Sequence, residues 1–370
     1  MPTIPIPPSV GLIGCGNFAR RQHLPNLAGW EGCRLRSVCD RDPSVARRCA
    51  KDFGASMSTA EPEELLADPE LDAVIISVPD AAQAGLVLAA IAAGKQVYVE
   101  KPVAGEKAVF ARLIRARDTA GCRVAVGFNK RRAPAYRAAH RHIIAMGGAR
   151  SLFLRMTDDA WRWAADLPQG SLLRHDACHL FDLAQWLSES PIRQVMASGG
   201  LPDEHAALLH HESGLTSAIL LSGNASMDFP KERMEAVTPH GCVTMDDFVE
   251  VRTFGDPGQS FVETFPGLAA RQADCPWVAK LGTRGLPGML ELRRELLRQW
   301  RQSGKPVPDV IPNFLRDQGW RDSIREFLAC IAHNKPLPHA TLEDASTAAA
   351  VTWAVEQSRA SGRAVSPADW

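Results

Sequence analysis

The sequence predicts an α/β protein with two domains: an amino-terminal, doubly wound parallel sheet, then an α+β domain with a large, open, mainly antiparallel sheet. Three observations predict it. From Val10 to about Phe128, short apolar runs alternate with helical patterns, as parallel strands do when helices cover both faces of their sheet. The turn after the first run is built on closely spaced glycines, Gly14 and Gly16. Beyond residue 190, strand-like runs follow one another with no helix between them, the mark of antiparallel pairing.

The elements follow in order. Residues 1–8 are proline-rich and predict a loose arm. VGLIG (10–14) is a buried strand, and a helix runs from the glycine turn to about Ala28. RLRSVC (34–39), DAVIIS (72–77), QVYVE (96–100) and RVAVGF (123–128) are further strands. The helices between them cover Pro43–Phe53, 81–94 and the stretch closed by Gly121. A solvated helix start lies at Glu61–Glu64. After a helix at 134–146 comes the strand SLFLRMTDD, then a loop with Trp161 and Trp163, then a helix carrying RHDACHLFD (174–182). Residues 192–254 hold several strands, punctuated by SGG, HESG, SGN and TPHG. Residues 255–316 read as loops around one helix near 289–303, and helices at 317–333 and 341–361 close the chain. The domains are expected at 1–128 and 129–370, with the last helices able to pack back on the first domain. The length of 370 residues accommodates two cores.

Gly14-Cys15-Gly16-Asn17-Phe18-Ala19 is G-x-G-x-x-A, between an apolar strand and a helix. Gly14 permits the tight turn, Gly16 lets a pyrophosphate approach the backbone, and Ala19 allows close helix packing. The helix amino end, with Asn17 and Phe18, faces the phosphates. The second strand ends in Asp40 at the spacing this Rossmann fingerprint expects. A carboxylate there accepts from ribose hydroxyls and repels a 2′-phosphate, so NAD is the expected cofactor. Arg41 beside it leaves NADP open, since a guanidinium pairs with such a phosphate or stacks on adenine.

Composition excludes other classes. Lys+Arg and Asp+Glu both count 42, so no nucleic-acid or anionic-membrane partner is indicated. Nine cysteines lack any C-x-x-C pair; reduced, mostly buried thiols in a cytoplasmic protein are expected. The amino terminus has neither the basic nor the apolar region of a secretory signal. The most apolar segment, 71–94, is broken by Pro79, Asp80 and Gln83, so it is not a membrane span.

Two further stretches carry chemistry. Glu100-Lys101-Pro102 ends a strand, at the edge where such sheets bind ligands. An ammonium there stabilises a developing alkoxide; a plain loop ion pair is the alternative. Ser77, Val78 and Pro79 follow another strand at the same edge, where their backbone could touch the nicotinamide ribose, with Gln83 a further cofactor candidate; a plain βα turn is the alternative. On a regular helix His175, His179, Asp182 and Trp186 share one stripe, and Leu173, Ala177, Leu180, Ala184 and Leu187 form a core stripe opposite. His-Asp-x-x-His lies one methylene from a zinc motif, yet no further histidine has the spacing of a third ligand and the fingerprint would go unexplained. No metal is expected. Proton transfer needs one group titrating near neutrality, which histidine supplies.

VGLIGCGNFARRQHLPNL, IISVPDAAQ, AAGKQVYVEKPVA, VGFNKRRAPAY and GSLLRHDACHLFDLAQWL, in this order, resemble the landmarks of the Gfo/Idh/MocA oxidoreductases, as does the ending PLPHATLEDASTAAAVTWAVEQSRASGRAV. The likeness is weakest over 255–316. It implies a Rossmann domain and NAD(P)-dependent oxidation or reduction of a sugar, sugar derivative or cyclitol. It also implies that Lys101 lies near the nicotinamide and the reacting carbon, together with Glu100 of the same motif. Asn129 and Arg131 match a stretch that contacts substrate or cofactor. His179 matches the family's acid/base histidine, and Asp182 a carboxylate that could orient it or could instead cap or bridge locally. Many members carry an aspartate four residues before that histidine, where this chain has His175. Asp176 is one step round the helix, where some members have an acidic residue. Lys101, His179 and His175 are the catalytic candidates, with His175 and Asp176 also contacting substrate. Gln83 replaces a histidine common there. Trp161, Arg162 and Trp163 suit the apolar face and anionic groups of a sugar derivative, with anchoring of a lid by packing as the alternative. A dihydrodiol, amino-sugar or nucleotide-sugar substrate, or a non-catalytic dinucleotide-binding regulator, are the competing readings. An exposed sheet face would suit a homodimer or homotetramer.

Overall fold

The computed structural model describes residues 6–158, 171–226, 229–255, 261–265, 284–304 and 316–370. The chain divides into two compact units, Met1–Asn129 with Trp320–Ala349, and Lys130–Gly319 with Ala350–Trp370. The units part after Asn129, and the last two helices are shared out between them.

In the first unit, strands β1 (Ser9–Ile13), β2 (Arg34–Cys39), β3 (Met57–Thr59), β4 (Ala73–Ile76), β5 (Gln96–Val99) and β6 (Val124–Val126) form one parallel sheet. Its order is β3-β2-β1-β4-β5-β6. The order reverses between β1 and β4, which opens a crevice beyond their carboxyl ends. Every residue of β1 and β4 is buried, which is why both read as unbroken apolar runs. β3 escaped the sequence reading because its three residues are exposed or half-buried at the sheet edge. The arm is also shorter than expected: Pro8 is buried and its carbonyl accepts from the Arg34 N–H at 2.9 Å.

The helix after the glycine turn opens as a π-helix, Ala19–His23, before α1 (Leu24–Leu27). Helices α2 (Pro43–Phe53), α3 (Pro62–Leu66), α4 (Asp80–Ala92) and α5 (Lys107–Ala120) complete the alternation. Ile324, Phe327 and Leu328, in a helix at Trp320–Ala332, share a core with Val10, Leu12 and Tyr98.

In the second unit, α6 (Pro134–Ala145) precedes β7 (Ser151–Thr157), the helices α7 (Leu172–His175) and α8 (Ala177–Ser188), and strands β8 (Ile192–Ser198), β9 (Glu204–His211) and β10 (Thr216–Ser222). Strands β11 (Glu232–Thr238), β12 (Gly241–Asp246), β13 (Glu250–Gly255) and β14 (Val262–Thr264) complete an eight-stranded sheet, ordered β14-β13-β12-β11-β7-β10-β9-β8. Every pairing is antiparallel except β7 with β10. Alternate residues of these strands face α6 and α8, and Leu173, Ala177, Leu180, Ala184 and Leu187 all lie in that core, as their stripe predicted. Then come α9 (Gly285–Ser303), α10 (the Trp320–Ala332 helix of the first unit) and α11 (Leu342–Ser361), whose Val351, Ala354 and Val355 join the second core.

The β12–β13 turn lacks glycine. Asp247 and Phe248 both take left-handed backbone, φ 55° and 63°, and both are fully buried. Such a conformation costs about 1–3 kcal/mol for a non-glycine residue. It is held by what its side chains reach. The Asp247 carboxylate accepts the Lys231 N–H at 2.7 Å and pairs with Arg293 and Arg316. Burial alone would raise this carboxyl, but the two guanidiniums outweigh it and hold it low. Phe248 packs edge-on to Tyr136.

Candidate active site

The crevice at the strand-order reversal holds a cavity of about 290 Å³. Gly14 turns the chain out of β1 with φ 96°, and a Cβ on it would stand 2.1 Å from the Ser77 carbonyl oxygen. Only glycine lets these two turns meet. A Cβ on Gly16 would meet nothing within 4 Å, so this side of the turn is open to an approaching group. Gly16, Asn17, Phe18, Ala19, Ser77, Val78, Pro79, Gln83, Glu100 and Lys101 all line the cavity, together with Asp80. The structure thus brings together ten of the cofactor residues read from sequence.

Asp40 follows β2, and its carboxylate is oriented by backbone: Oδ2 accepts the Cys15 N–H at 2.9 Å and Oδ1 the Asp42 N–H at 3.0 Å. Arg41 beside it is exposed. Cys15 and Cys39 behind the turn are buried thiols pushed well up by desolvation, so they pack and do not react. A dinucleotide fits this surface: a turn with no Cβ toward the phosphates, a carboxylate at the ribose position, and a buried acceptor awaiting a donor. That acceptor is Gln83 Oε1, which has no hydrogen-bond partner among the described residues, while its Nε2 donates to the Pro102 carbonyl at 3.0 Å.

The second unit gathers the other candidates. The helix carrying RHDACHLFD is not continuous. It breaks at Asp176 (φ −117°, ψ −39°) into α7 and α8, so the stripe expected for a regular helix does not run through His175. His175 and Asp176 are half-buried at the break, and His179 is buried in the first turn of α8. Trp186 departs from the stripe's expected role: it packs on the core and stacks on His140 at 4.2 Å. Asp182, expected to hold the His179 imidazole, has both oxygens engaged by Arg131, Nε at 2.9 Å and Nη2 at 2.5 Å. Arg131 thereby ties α8 to its own segment. Asn129, just before it, is buried. Cys178 is buried, its Sγ 3.5 Å from the His175 carbonyl. Trp161, Arg162 and Trp163 lie outside the described residues.

Sequence reasoning missed Lys130 and Lys231. Lys130 is buried, pairs with Glu232 and is pushed below the usual lysine range by desolvation. Tyr136 donates to the other Glu232 oxygen at 2.8 Å. Lys231 pairs with Asp158; burial would lower it, but Asp158 and Asp176 outweigh that and hold it well up. The Asp176 carboxylate also favours the charged form of Lys130. The signal for Lys231 was a lysine beside the acid that opens a strand, Glu232, too common to single out, and Lys130 has no acid near it in the sequence. Among the described residues no group of three or more His, Cys, Asp or Glu side chains is placed to hold a metal ion.

A parallel sheet ordered 3-2-1-4-5-6, with a glycine turn at its reversal point and an acid after its second strand, defines a dinucleotide-binding domain. Residues 9–128 match the model of an oxidoreductase family with an NAD-binding Rossmann fold, and residues 144–244 match the GFO/IDH/MocA C-terminal domain. The chain belongs to the Gfo/Idh/MocA oxidoreductase family. It is 31% identical over 208 residues to inositol 2-dehydrogenase of Acidothermus cellulolyticus, covering 54% of this chain and 61% of that protein. It is 27% identical over 232 residues to inositol 2-dehydrogenase 2 of Saccharopolyspora erythraea, covering 60% and 68%. The fold is that of scyllo-inositol dehydrogenase from Lactobacillus casei, solved with bound NAD(H) and scyllo-inositol: TM-score 0.75, 17% identity, 97% of this chain and 99% of that one.

Proposed function

We propose that the protein is an NAD-dependent dehydrogenase or reductase acting at a hydroxyl or keto carbon of a cyclitol, sugar or sugar derivative. The observation that carries this reading is the position of Lys101 on the wall of a cavity whose other walls suit a dinucleotide. Relatives named as inositol 2-dehydrogenases support the substrate class. Bound there, the nicotinamide supplies a carrier for hydride.

The protein's own residues handle the oxygen and its proton. The Lys101 ammonium polarises the substrate oxygen and stabilises negative charge as its proton leaves. His179 takes that proton in oxidation and returns it in reduction. His175 and Asp176, at the helix break, bind neighbouring hydroxyls. The orienting task first read for Asp182 passes to the packing of α8, since that carboxylate is engaged by Arg131.

The test is turnover of NAD(H) with a panel of cyclitols, sugars and their ketones. His179→Ala should lower turnover by about 10²–10⁴-fold, the usual share of general acid–base catalysis, with cofactor affinity unchanged. Full activity in that variant removes the role from His179, and binding of NAD(H) with no turnover of any substrate makes the protein a regulator.

The protein assembles through its own copies and works in the cytoplasm. Met196, Leu208 and Leu220 lie exposed on one sheet face, with Val237, Phe254 and Val262 exposed on strands beyond. Met196 and Leu208 are paired across strands. Apolar side chains exposed on a sheet face suit a second copy. Leu208→Glu should halve the mass seen by sedimentation; an unchanged mass sinks the interface. No helix among the described residues is long and apolar enough to cross a membrane. The eight described cysteines are all free, as suits a reducing compartment.

A further inference from the structure

Behind the cavity wall that carries Lys101 lies a buried pair that the proposed chemistry does not use. His23 ends the π-helix and is fully buried, with Nε2 3.0 Å from Oε1 of Glu100. Close as they are, the two are poorly aligned for a hydrogen bond. Neither ring nitrogen of His23, nor Glu100 Oε1, has a hydrogen-bond partner among the described residues. A buried polar pair left short of partners in a native fold calls for a reason beyond stability.

Its surroundings supply one. The second oxygen of Glu100 accepts the N–H of Lys101 at 3.3 Å. A Cβ on Gly127 would stand 2.8 Å from that oxygen, so a bare backbone forms one side of the carboxylate's slot. Phe18, which lines the cavity, meets the His23 ring edge-on at 5.0 Å, and Tyr98 closes the far side at 6.1 Å. Downstream, Gln83 holds the Pro102 carbonyl. The main chain on either side of Lys101 is therefore tied, by Glu100 before it and Gln83 after it.

We infer that His23 is a positioning residue: by fixing Glu100 in its slot it sets the Glu100–Lys101–Pro102 turn, and so the direction in which the Lys101 amine meets the cavity. His23 touches neither substrate nor cofactor and acts through Lys101 alone. The inference rests on the use of Lys101 proposed above.

The experiment compares His23→Ala, His23→Gln and Glu100→Gln, each with and without Lys101→Met, after melting curves confirm folding. Misplacing a catalytic group by about 1 Å costs up to ~10²-fold, so His23→Ala and Glu100→Gln should lower kcat by about 10–100-fold. The KM for NAD should stay within about twofold in His23→Ala, since remote positioning does not weaken uniform binding. His23→Gln, which keeps a polar group of similar reach against the Glu100 carboxylate, should recover most of the loss. In the Lys101→Met background the same changes should alter kcat by less than about twofold, because residues acting in series are not additive. A readout without turnover accompanies this. The protein is reductively methylated with ¹³C, the Lys101 signal is assigned by its loss in Lys101→Met, and its position should move in His23→Ala and Glu100→Gln. Losses that add to that of Lys101→Met, or a Lys101 signal at its original position in both variants, overturn the inference. Absence of turnover in the unaltered protein, with the signal still moving, would refute the proposed function and leave the positioning role standing.

Discussion

Two lysines in neighbouring stretches of sequence meet opposite fates. Lys101 is half-buried on a cavity wall, in a turn tied on both sides. Lys130 has a side chain 4% exposed and is paired with a carboxylate exposed not at all. Each sits beside a strand end, within a stretch that resembles the same family. The difference is the environment: a cavity lets an ammonium act on a ligand, whereas burial against Glu232 spends the charge on the fold. Desolvation lowers Lys130 despite its partner, so the pair is held by the surrounding structure at some electrostatic cost. A charged residue type in a motif thus says little about chemistry until its surroundings are known.

The sharpest way to break this comparison is to delete both ammonium groups in turn. Lys101→Met should lower turnover by about 10²–10³-fold, the range for losing one oxyanion-stabilising donor, with little change in melting temperature. Lys130→Met should do the reverse and destabilise by about 3–5 kcal/mol, because it leaves the Glu232 carboxylate buried without its counter-charge. Lys130→Met with Glu232→Leu should regain much of that stability. Denaturant melts and steady-state rates on the three proteins decide it, and a stability loss in Lys101→Met as large as in Lys130→Met would erase the distinction.

Arg131 extends the comparison to a residue that the sequence placed at the site. Its two-point contact to Asp182 is buried at both ends, with side chains 9% and 1% exposed. Arg131→Ala should therefore cost up to about 3–5 kcal/mol, and Arg131→Lys should recover only part, since an ammonium cannot make the parallel pair of bonds. If Arg131→Ala instead melts normally and raises the KM for substrate, the guanidinium belongs with Lys101 and not with Lys130.

These cases explain what the sequence disclosed. The glycine turn was legible because its constraint is local: Gly14 must be glycine to pass the Ser77 carbonyl, and the Asp40 spacing follows from one strand and one helix. The buried strands β1 and β4 were legible from apolar continuity. The pairings of Arg131 with Asp182 and of Lys130 with Glu232 span 51 and 102 residues, and no local pattern encodes them. The break at Asp176 escaped because apolar spacing on either side still looked helical. The Asp247–Phe248 turn escaped because its left-handed backbone is held by Arg293 and Arg316, far along the chain, instead of by a glycine. β7 beside β10 was invisible for the same reason: a parallel pairing inside an otherwise antiparallel sheet depends on connections, not on strand composition.

If burial is what separates Lys130 from Lys101, a pair with less burial should matter less. Arg117 on α5 and Glu343 at the start of α11, both in the first unit, form such a pair, with two contacts at 2.8 and 2.7 Å and a Glu343 side chain 51% exposed. The hydrogen bonds from Arg117 hold the Glu343 carboxyl down at about 2. A carboxyl lowered on folding stabilises the folded state above its unfolded value, and that contribution is lost as pH falls through the folded one. Glu343→Gln should thus reduce stability by less than about 1 kcal/mol at neutral pH, because a half-exposed pair is screened by solvent. The gap between the two proteins should narrow from about pH 4.5, the ordinary range of a glutamate, and close near pH 2. Added salt should shrink it as well. Melting curves across pH 2–7 read this directly. A gap as large as that of Lys130→Met, or one that widens in acid, would mean that exposure does not govern the strength of charge pairs in this fold.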